Sequence, residues 1–159
     1  MVGATFLLAS LVTGCSSEPT ARKPDDGPVS LDVHAGNVPA ACRDLLARLP
    51  VAVADQGRRD ITPPGAPGAA WGDPAITLLC GVDKPAGFND VASCLTVDGV
   101  DWYIPTKQLE ANGDLTMTTV KRAVSVEVQL PAAYFPPATA LADLARPVRR
   151  SIPASGHCF

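Results

Sequence analysis

Four cysteines in the body of the chain are the residues best suited to chemistry. The thiols of Cys42, Cys80, Cys94 and Cys158 form an even set, which in an oxidising compartment is typical of disulfide bonds. Four cysteines allow three pairings, and sequence alone does not choose between them, but we favour Cys42–Cys80 and Cys94–Cys158. Each bond would close a loop of roughly 40 to 65 residues, worth about 4 kcal/mol in the chain-entropy model. A zinc site that uses His157 and Cys158 is the alternative, but no CxxC or HxxxH spacing supports it.

Acid–base and nucleophilic chemistry has few candidates. Asp98 and Asp101 flank a predicted turn and could form a carboxylate pair, although turn aspartates usually serve the turn itself. The two histidines, His34 and His157, cannot be assembled into a Ser-His-Asp or Cys-His arrangement. No Gly-rich phosphate loop occurs. We therefore expect no enzymatic activity, no cofactor and no metal.

Trp71, Asp73 and Trp102 are the candidate binding residues. The Trp-Gly-Asp-Pro run that begins at Trp71 could form the lip of a binding site. The simpler interpretation is that Trp71 packs on a sheet while Asp73 and the proline after it bend the chain into a strand. Two basic pairs, Arg58-Arg59 and Arg149-Arg150, are usually solvated in such positions but are candidate anchors for an acidic partner.

The fifth cysteine, Cys15, stands in a different context. Residues 5–12 are apolar and uncharged, too short to span a bilayer of about 30 Å but of the right length for the apolar core of a signal peptide. They lead into Val-Thr-Gly-Cys, which resembles a bacterial lipobox and implies a lipid with acyl chains such as palmitate on the Cys15 thiol, with cleavage before it. Residues 1–14 contain neither Lys nor Arg, so we expect the translation start to lie upstream. The prediction is a lipoprotein on the extracytoplasmic face of the cell membrane.

Composition divides the rest of the chain in two. Residues 15–38 have many breakers and no apolar periodicity, which predicts a lipid-anchored flexible tether, and residues 39–159 are long enough for a single folded domain. A net charge of −3 argues against nucleic acid or anionic lipid headgroups as partners, and an aromatic content of 5% argues against a carbohydrate platform of stacked rings. Arginine outnumbers lysine nine to four, which is typical of a high-GC actinobacterial proteome.

Two segments have helical patterns. Residues 39–50 place Cys42 and three leucines on one face at the i, i+3, i+4, i+7 spacing, and Pro50 ends the helix. Residues 137–152 have the same spacing, but Pro147 lies inside the segment and predicts a kink or a break there.

The segments between the helices predict antiparallel strands. Residues 75–82 alternate so that Cys80 faces the helix that carries Cys42, which is the physical reason for favouring that disulfide. An Asp-Gly pair at the centre of residues 94–104 predicts a hairpin, and residues 115–130 predict a second. Residues 62–68 predict a loop. The fold class is therefore α+β: an antiparallel sheet of about four strands, stapled by disulfides, with the N-terminal and C-terminal helices on one face.

These segments together resemble one protein family. Residues 42–50, 70–82, 97–102 and 124–131 are similar to domain of unknown function 3515, a family of actinobacterial secreted or lipoprotein chains, and the resemblance covers about residues 39–152. It implies that Cys42–Cys80 is the bridge of the family and that Cys94–Cys158 is an additional pair. The resemblance implies a location and a coherent fold, and it brings no activity.

Two classes of function remain open. The first is a non-enzymatic accessory protein that binds an envelope protein through exposed apolar or aromatic surface near Trp71 and Trp102. The second is a lipoprotein that binds a small apolar ligand or a lipid in a pocket between sheet and helices. A packed core with an exposed patch would favour the first class and a deep apolar cavity the second. We favour the first.

Overall fold

The computed structural model describes residues 27–33, 38–89, 91–111 and 113–158. Cys15, the predicted signal peptide, His34 and most of the predicted tether lie outside these residues. The described chain is α+β, as the sequence predicts, and none of its helices is long and apolar enough to span a membrane. Its elements in chain order are β1 (Val29–Ser30), α1 (Ala40–Leu46), β2 (Ala52–Val53), β3 (Gln56–Arg59), β4 (Ile61–Thr62), β5 (Gly68–Trp71), β6 (Ile76–Val82), β7 (Leu95–Val97), β8 (Val100–Tyr103), α2 (Thr106–Ala111), β9 (Leu115–Thr119), β10 (Ser125–Leu130), a 3₁₀ turn (Ala132–Tyr134) and α3 (Ala138–Ser151).

The main sheet has eight strands in the order β2-β3-β5-β6-β10-β9-β8-β7, and every pairing in it is antiparallel. The prediction of about four strands is therefore wrong. Four strands after residue 83 follow from the centre of the sheet to one edge in the order β10-β9-β8-β7. Four strands before residue 83 follow from the centre to the other edge in the order β6-β5-β3-β2. The two groups meet at the pair of β6 and β10.

The strands that the sequence analysis missed lack the usual alternation of apolar and polar residues. β5 is buried along its whole length, so both of its faces need small or apolar side chains and no alternation develops. The hairpin of β2 and β3 turns at Ala54 and Asp55, which both have positive φ (47° and 61°) without the glycine that usually marks such a turn.

Both predicted hairpins are confirmed. Between β7 and β8, Asp98 and Gly99 have φ values of 45° and 74°, as a two-residue type I′ turn requires. In the second hairpin Leu115 of β9 pairs with Leu130 of β10.

The core lies between the sheet and two helices. α1 contacts α3, and α3 also contacts β2, β7 and β8. Helix α1 ends at Leu46, before the predicted Pro50, and α3 continues through Pro147 to Ser151 without a break. Fully buried members of this core include Leu45, Trp71, Ile76, Leu78, Trp102, Met117, Val126, Val128, Leu141, Leu144 and Val148.

The opposite face of the sheet is covered by residues that were assigned to the tether. β1 pairs in parallel with β4, and Leu31 is only 5% exposed and packs with Ala66 and Leu79. Because side chains alternate along a strand, Leu79 points away from the main core that contains Leu78. The domain therefore includes residues 27–33, which differs from the predicted boundary at residue 39. Composition could not indicate this, because the pairing partner of β1 lies some thirty residues away.

Two disulfides are present, with the favoured connectivity. Cys42–Cys80 joins α1 to β6 with both residues buried (0% and 3% exposed). Cys94–Cys158 ties the C-terminal segment to the chain before β7, and both residues are half-buried.

Candidate functional site

Trp71 does not form the lip of a site. Its side chain is 0% exposed, and its Nε1–H donates a hydrogen bond to the Pro50 carbonyl at 3.2 Å. The guanidinium of Arg58 lies 5.2 Å from the ring centroid, which is a cation–π contact. Trp71 therefore packs on the sheet, as the simpler interpretation of its sequence expects, and its ring is not part of an exposed surface.

Trp102 is also 0% exposed, so it cannot contact a partner either. Asp73 is exposed, and its peptide bond to Pro74 is cis. The hydroxyl of Tyr134 donates to the Pro74 carbonyl at 2.9 Å. Burial raises the pKa of Tyr134, the charge of Asp73 raises it further, and a hydrogen bond with the Asp73 backbone opposes both. Of the three predicted binding residues, only Asp73 reaches the surface.

Asp98 and Asp101 have different environments and do not act as a carboxylate pair. Asp98 is exposed in the turn, whereas Asp101 is 6% exposed in β8. The Asp101 carboxylate accepts hydrogen bonds from Thr96 Oγ1 at 2.6 Å and from the Cys158 backbone N–H at 3.1 Å. These bonds give Asp101 a structural role.

The structure places His157 next to Asp101, which the sequence analysis did not predict. Nδ1 of His157 lies 3.6 Å from Oδ2 of Asp101, and the imidazole is largely exposed. The adjacent thiol of Cys158 is consumed in a disulfide, so the predicted alternative of a zinc site there is wrong. Within the described ranges no three His, Cys, Asp or Glu side chains are grouped as metal ligands would be.

The first basic pair is structural. Arg58 stacks on Trp71, and Arg59 donates hydrogen bonds to the carbonyls of Gly72 and Gly27 at 2.8 and 2.6 Å. The two arginines of the second pair lie in different surroundings. The side chain of Arg149 lies beside Gly99, while Arg150 lines an open cleft between α3 and the chain that follows α1.

This arginine cleft is the candidate functional site. It has a volume of about 320 Å³. One wall is a single stripe of α3, since its four residues have the i, i+3, i+4, i+7 spacing that places side chains on one helix face. The other wall is the chain that follows α1. The lining residues are Arg48, Pro50, Asp143, Arg146, Pro147 and Arg150.

The charges in the arginine cleft are unbalanced. Arg48, Arg146 and Arg150 are exposed, and no ion pair joins any of them to another described residue. The one carboxylate in the lining, Asp143, accepts a hydrogen bond from the backbone N–H of Ala54 at 2.9 Å, which fixes the turn between β2 and β3. Three guanidinium groups therefore face solvent around one cleft, an arrangement suited to carboxylates or other anions.

The fold and this cleft define a small, disulfide-bonded α+β domain with a cationic groove beside α3. The chain belongs to the family described as protein of unknown function (DUF3515), whose family model matches residues 1–156. No curated protein and no solved structure matches the chain.

Proposed function

We propose that the protein is a lipid-anchored, extracytoplasmic interaction protein that binds an acidic segment of another envelope protein in the arginine cleft. The observation that carries the proposal is the set of three exposed guanidinium groups around one groove. In this proposal the protein is an accessory protein without catalytic activity.

The cysteines support the proposed location. The sequence has five cysteines, and the two disulfides use four of them. Stable disulfides are typical of exported proteins, and the two disulfides leave Cys15 as the one cysteine of the sequence that is available for a lipid. The Val-Thr-Gly-Cys sequence before residue 16 adds the lipid anchor to this argument.

The form of the cleft supports a protein partner. The protein carries a net charge of −3, so a local excess of arginine is not a consequence of overall composition. Arginine is enriched at the energetic centres of protein interfaces because its planar fork binds carboxylates at two points. An acidic peptide that lies between α3 and the chain after α1 would meet all three arginines.

A small apolar ligand between sheet and helices is the alternative. The side chains in that space are packed against one another, with Trp71, Trp102 and Met117 fully buried. The arginine cleft opens at the surface instead, and its walls are charged. These observations favour a partner of acidic chemistry over an apolar one.

A binding experiment with a defined acidic probe tests the cleft. We expect a fluorescent peptide of consecutive glutamates to bind the purified protein at low ionic strength, and the single variant Arg146→Glu to lose at least about tenfold in affinity. Lys107→Glu is the matched control, because it reverses a charge on an exposed residue of α2 outside the cleft. Equal losses in both variants would show that only net charge matters and would remove the cleft from the proposal.

A separate experiment tests the anchor. In producing cells we expect the intact mass of the protein to include a diacylglyceryl group on residue 15. We also expect the protein to be found in the membrane fraction. Cys15→Ser should abolish both the added mass and the membrane retention. A wild-type protein of unmodified mass in the soluble fraction would overturn the lipoprotein assignment without affecting the binding experiment.

A further inference from the structure

The surface beside the arginine cleft holds a further arginine. Pro50 lines the cleft, and its carbonyl accepts a hydrogen bond from Nε1–H of Trp71 at 3.2 Å. The guanidinium of Arg58 lies 5.2 Å from the centroid of the Trp71 ring. Arg58 is therefore close to the wall of the cleft, although it is not one of the lining residues.

The guanidinium of Arg58 is held in place with its N–H groups accessible. A cation–π contact uses the face of the planar group and leaves the N–H donors at its edge. The side chain of Arg58 is exposed, and no ion pair joins it to another described residue. A carboxylate of a partner could bind this edge while the Trp71 ring keeps the guanidinium in position.

Val51 lies between Arg58 and the arginine cleft. It follows Pro50 directly in the chain, and its carbonyl accepts the backbone N–H of Arg58 at 3.0 Å. This bond continues the β2–β3 register, in which Ala52 is opposite Gly57, so Val51 is opposite Arg58. Opposite side chains on neighbouring strands lie on the same face of a sheet.

The domain does not bury the apolar side chain of Val51. Val51 is 84% exposed, whereas Val53, which lies two residues further along and so on the same face, is 0% exposed. A single exposed valine is ordinary on a protein surface. This one stands between the arginines of the cleft and Arg58, so a segment that reached from one to the other would pass over it.

We propose, building on the proposed function, that the acidic segment carries an apolar residue between its acidic residues, and that Val51 and Arg58 select it. Acidic residues on one side of the apolar residue bind the arginine cleft, and those on the other side bind Arg58. A segment of acidic residues alone would leave Val51 in water, whereas an apolar side chain would remove apolar surface from water on both partners. The binding surface then extends from α3 to the β2–β3 hairpin.

Two peptides of equal charge test the role of Val51. Both carry glutamates on each side of a central residue, which is leucine in one peptide and serine in the other. We expect the leucine peptide to bind the wild-type protein roughly threefold more tightly at low ionic strength, and Val51→Ser to remove this preference. Val91→Ser is the matched control and should keep the preference, because Val91 is 92% exposed in the connection between β6 and β7.

Charge variants test the role of Arg58. Arg58→Gln should weaken the binding of both peptides roughly fivefold, and Arg58→Lys, which keeps the charge, should restore most of the affinity. Lys107→Gln removes one charge from an exposed residue of α2 outside the cleft and should change either affinity less than twofold.

The outcomes separate this inference from the proposed function. Equal affinities for the two peptides, a preference that survives Val51→Ser, or equal losses in Arg58→Gln and Lys107→Gln would overturn the inference. The proposed function would still stand if Arg146→Glu weakened the binding of both peptides. If neither peptide bound the wild-type protein, both the inference and the proposed function would fail.

Discussion

Asp101 in the middle of the β7–β8 hairpin anchors the end of the chain, because its carboxylate accepts the backbone N–H of Cys158 at 3.1 Å. Cys158 also forms a disulfide with Cys94. Arg122 fixes the start of residues 152–158, because its Nη1 donates a hydrogen bond to the Ile152 carbonyl. Residues 152–158 are thus part of the folded domain. The buried Asp101 carboxylate has a structural role that its position beside a turn in the sequence does not reveal.

The first prediction concerns that carboxylate. Asp101→Asn keeps the size of the side chain but removes its charge and one acceptor, so we expect the free energy of unfolding to fall by about 1–3 kcal/mol. Urea denaturation followed by circular dichroism measures this. Asp98→Asn is the control: residue 98 is exposed with φ of 45°, a conformation that asparagine tolerates. A loss in Asp98→Asn as large as that in Asp101→Asn would contradict the assigned role.

The second prediction concerns the order in which the disulfides are reduced. Cys94–Cys158 is half-buried, whereas Cys42–Cys80 lies in the core, and thiol attack requires access to sulfur. Mild dithiothreitol under native conditions should therefore expose Cys94 and Cys158 to alkylation first, as peptide mapping by mass spectrometry would show. In denaturant all four cysteines should react. Preferential labelling of Cys42 and Cys80 in the native protein would show that the core opens before the end of the chain does.

The third prediction tests the packing of the N-terminal segment. A Cβ at Gly68 would collide with the Leu78 carbonyl oxygen and lie 2.7 Å from Leu31 Cδ1. We expect Gly68→Ala to destabilise the domain by about 1–3 kcal/mol through overpacking and to increase protease cleavage within residues 27–33. At Gly57 a Cβ would meet nothing within 4 Å, so Gly57→Ala should change stability little. Unchanged cleavage in Gly68→Ala would mean that Leu31 does not depend on this contact.

The fourth prediction concerns high pH. The pKa of Tyr134 is raised in the folded protein, so folding favours the neutral phenol. The stability from its bond to Pro74 is then fully present below the unfolded pKa of about 10 and is lost as pH rises through the folded pKa. Tyr134→Phe should lower the free energy of unfolding by on the order of 1 kcal/mol at neutral pH. The gap between the two proteins should close in alkaline urea titrations; a gap that is constant with pH would refute this.

Local patterns in the sequence predicted the local parts of the fold. The Asp98-Gly99 turn, the alternation in β6 and β10, and the helical faces of α1 and α3 depend on neighbours within a few residues. β1 pairs with a strand some thirty residues away, and β5 is buried on both faces, so neither has a local signature. Helix α3 runs through Pro147 because its apolar stripe is buried in the core, and that packing outweighs the missing hydrogen bond.

The arginine cleft could not be predicted from the sequence. Arg48 and Arg150 are a hundred residues apart in the sequence, and only the contact between α1 and α3 brings them to one groove. The tryptophans attracted attention as rare, large side chains, but in a domain with few aromatic residues they were needed to fill the core.

The pairing of β6 with β10 has a consequence for the covalent organisation of the molecule. Cys42–Cys80 lies entirely before residue 83, and Cys94–Cys158 lies entirely after it. Each half of the chain therefore has its own disulfide, and neither disulfide joins the two halves across the seam, the β6–β10 pairing. The connection between the halves includes Val91, which is 92% exposed, and exposed connections are where chains tolerate opening. Two copies could therefore exchange halves across this seam, or a nicked chain could reassemble, without breaking or reshuffling a single disulfide.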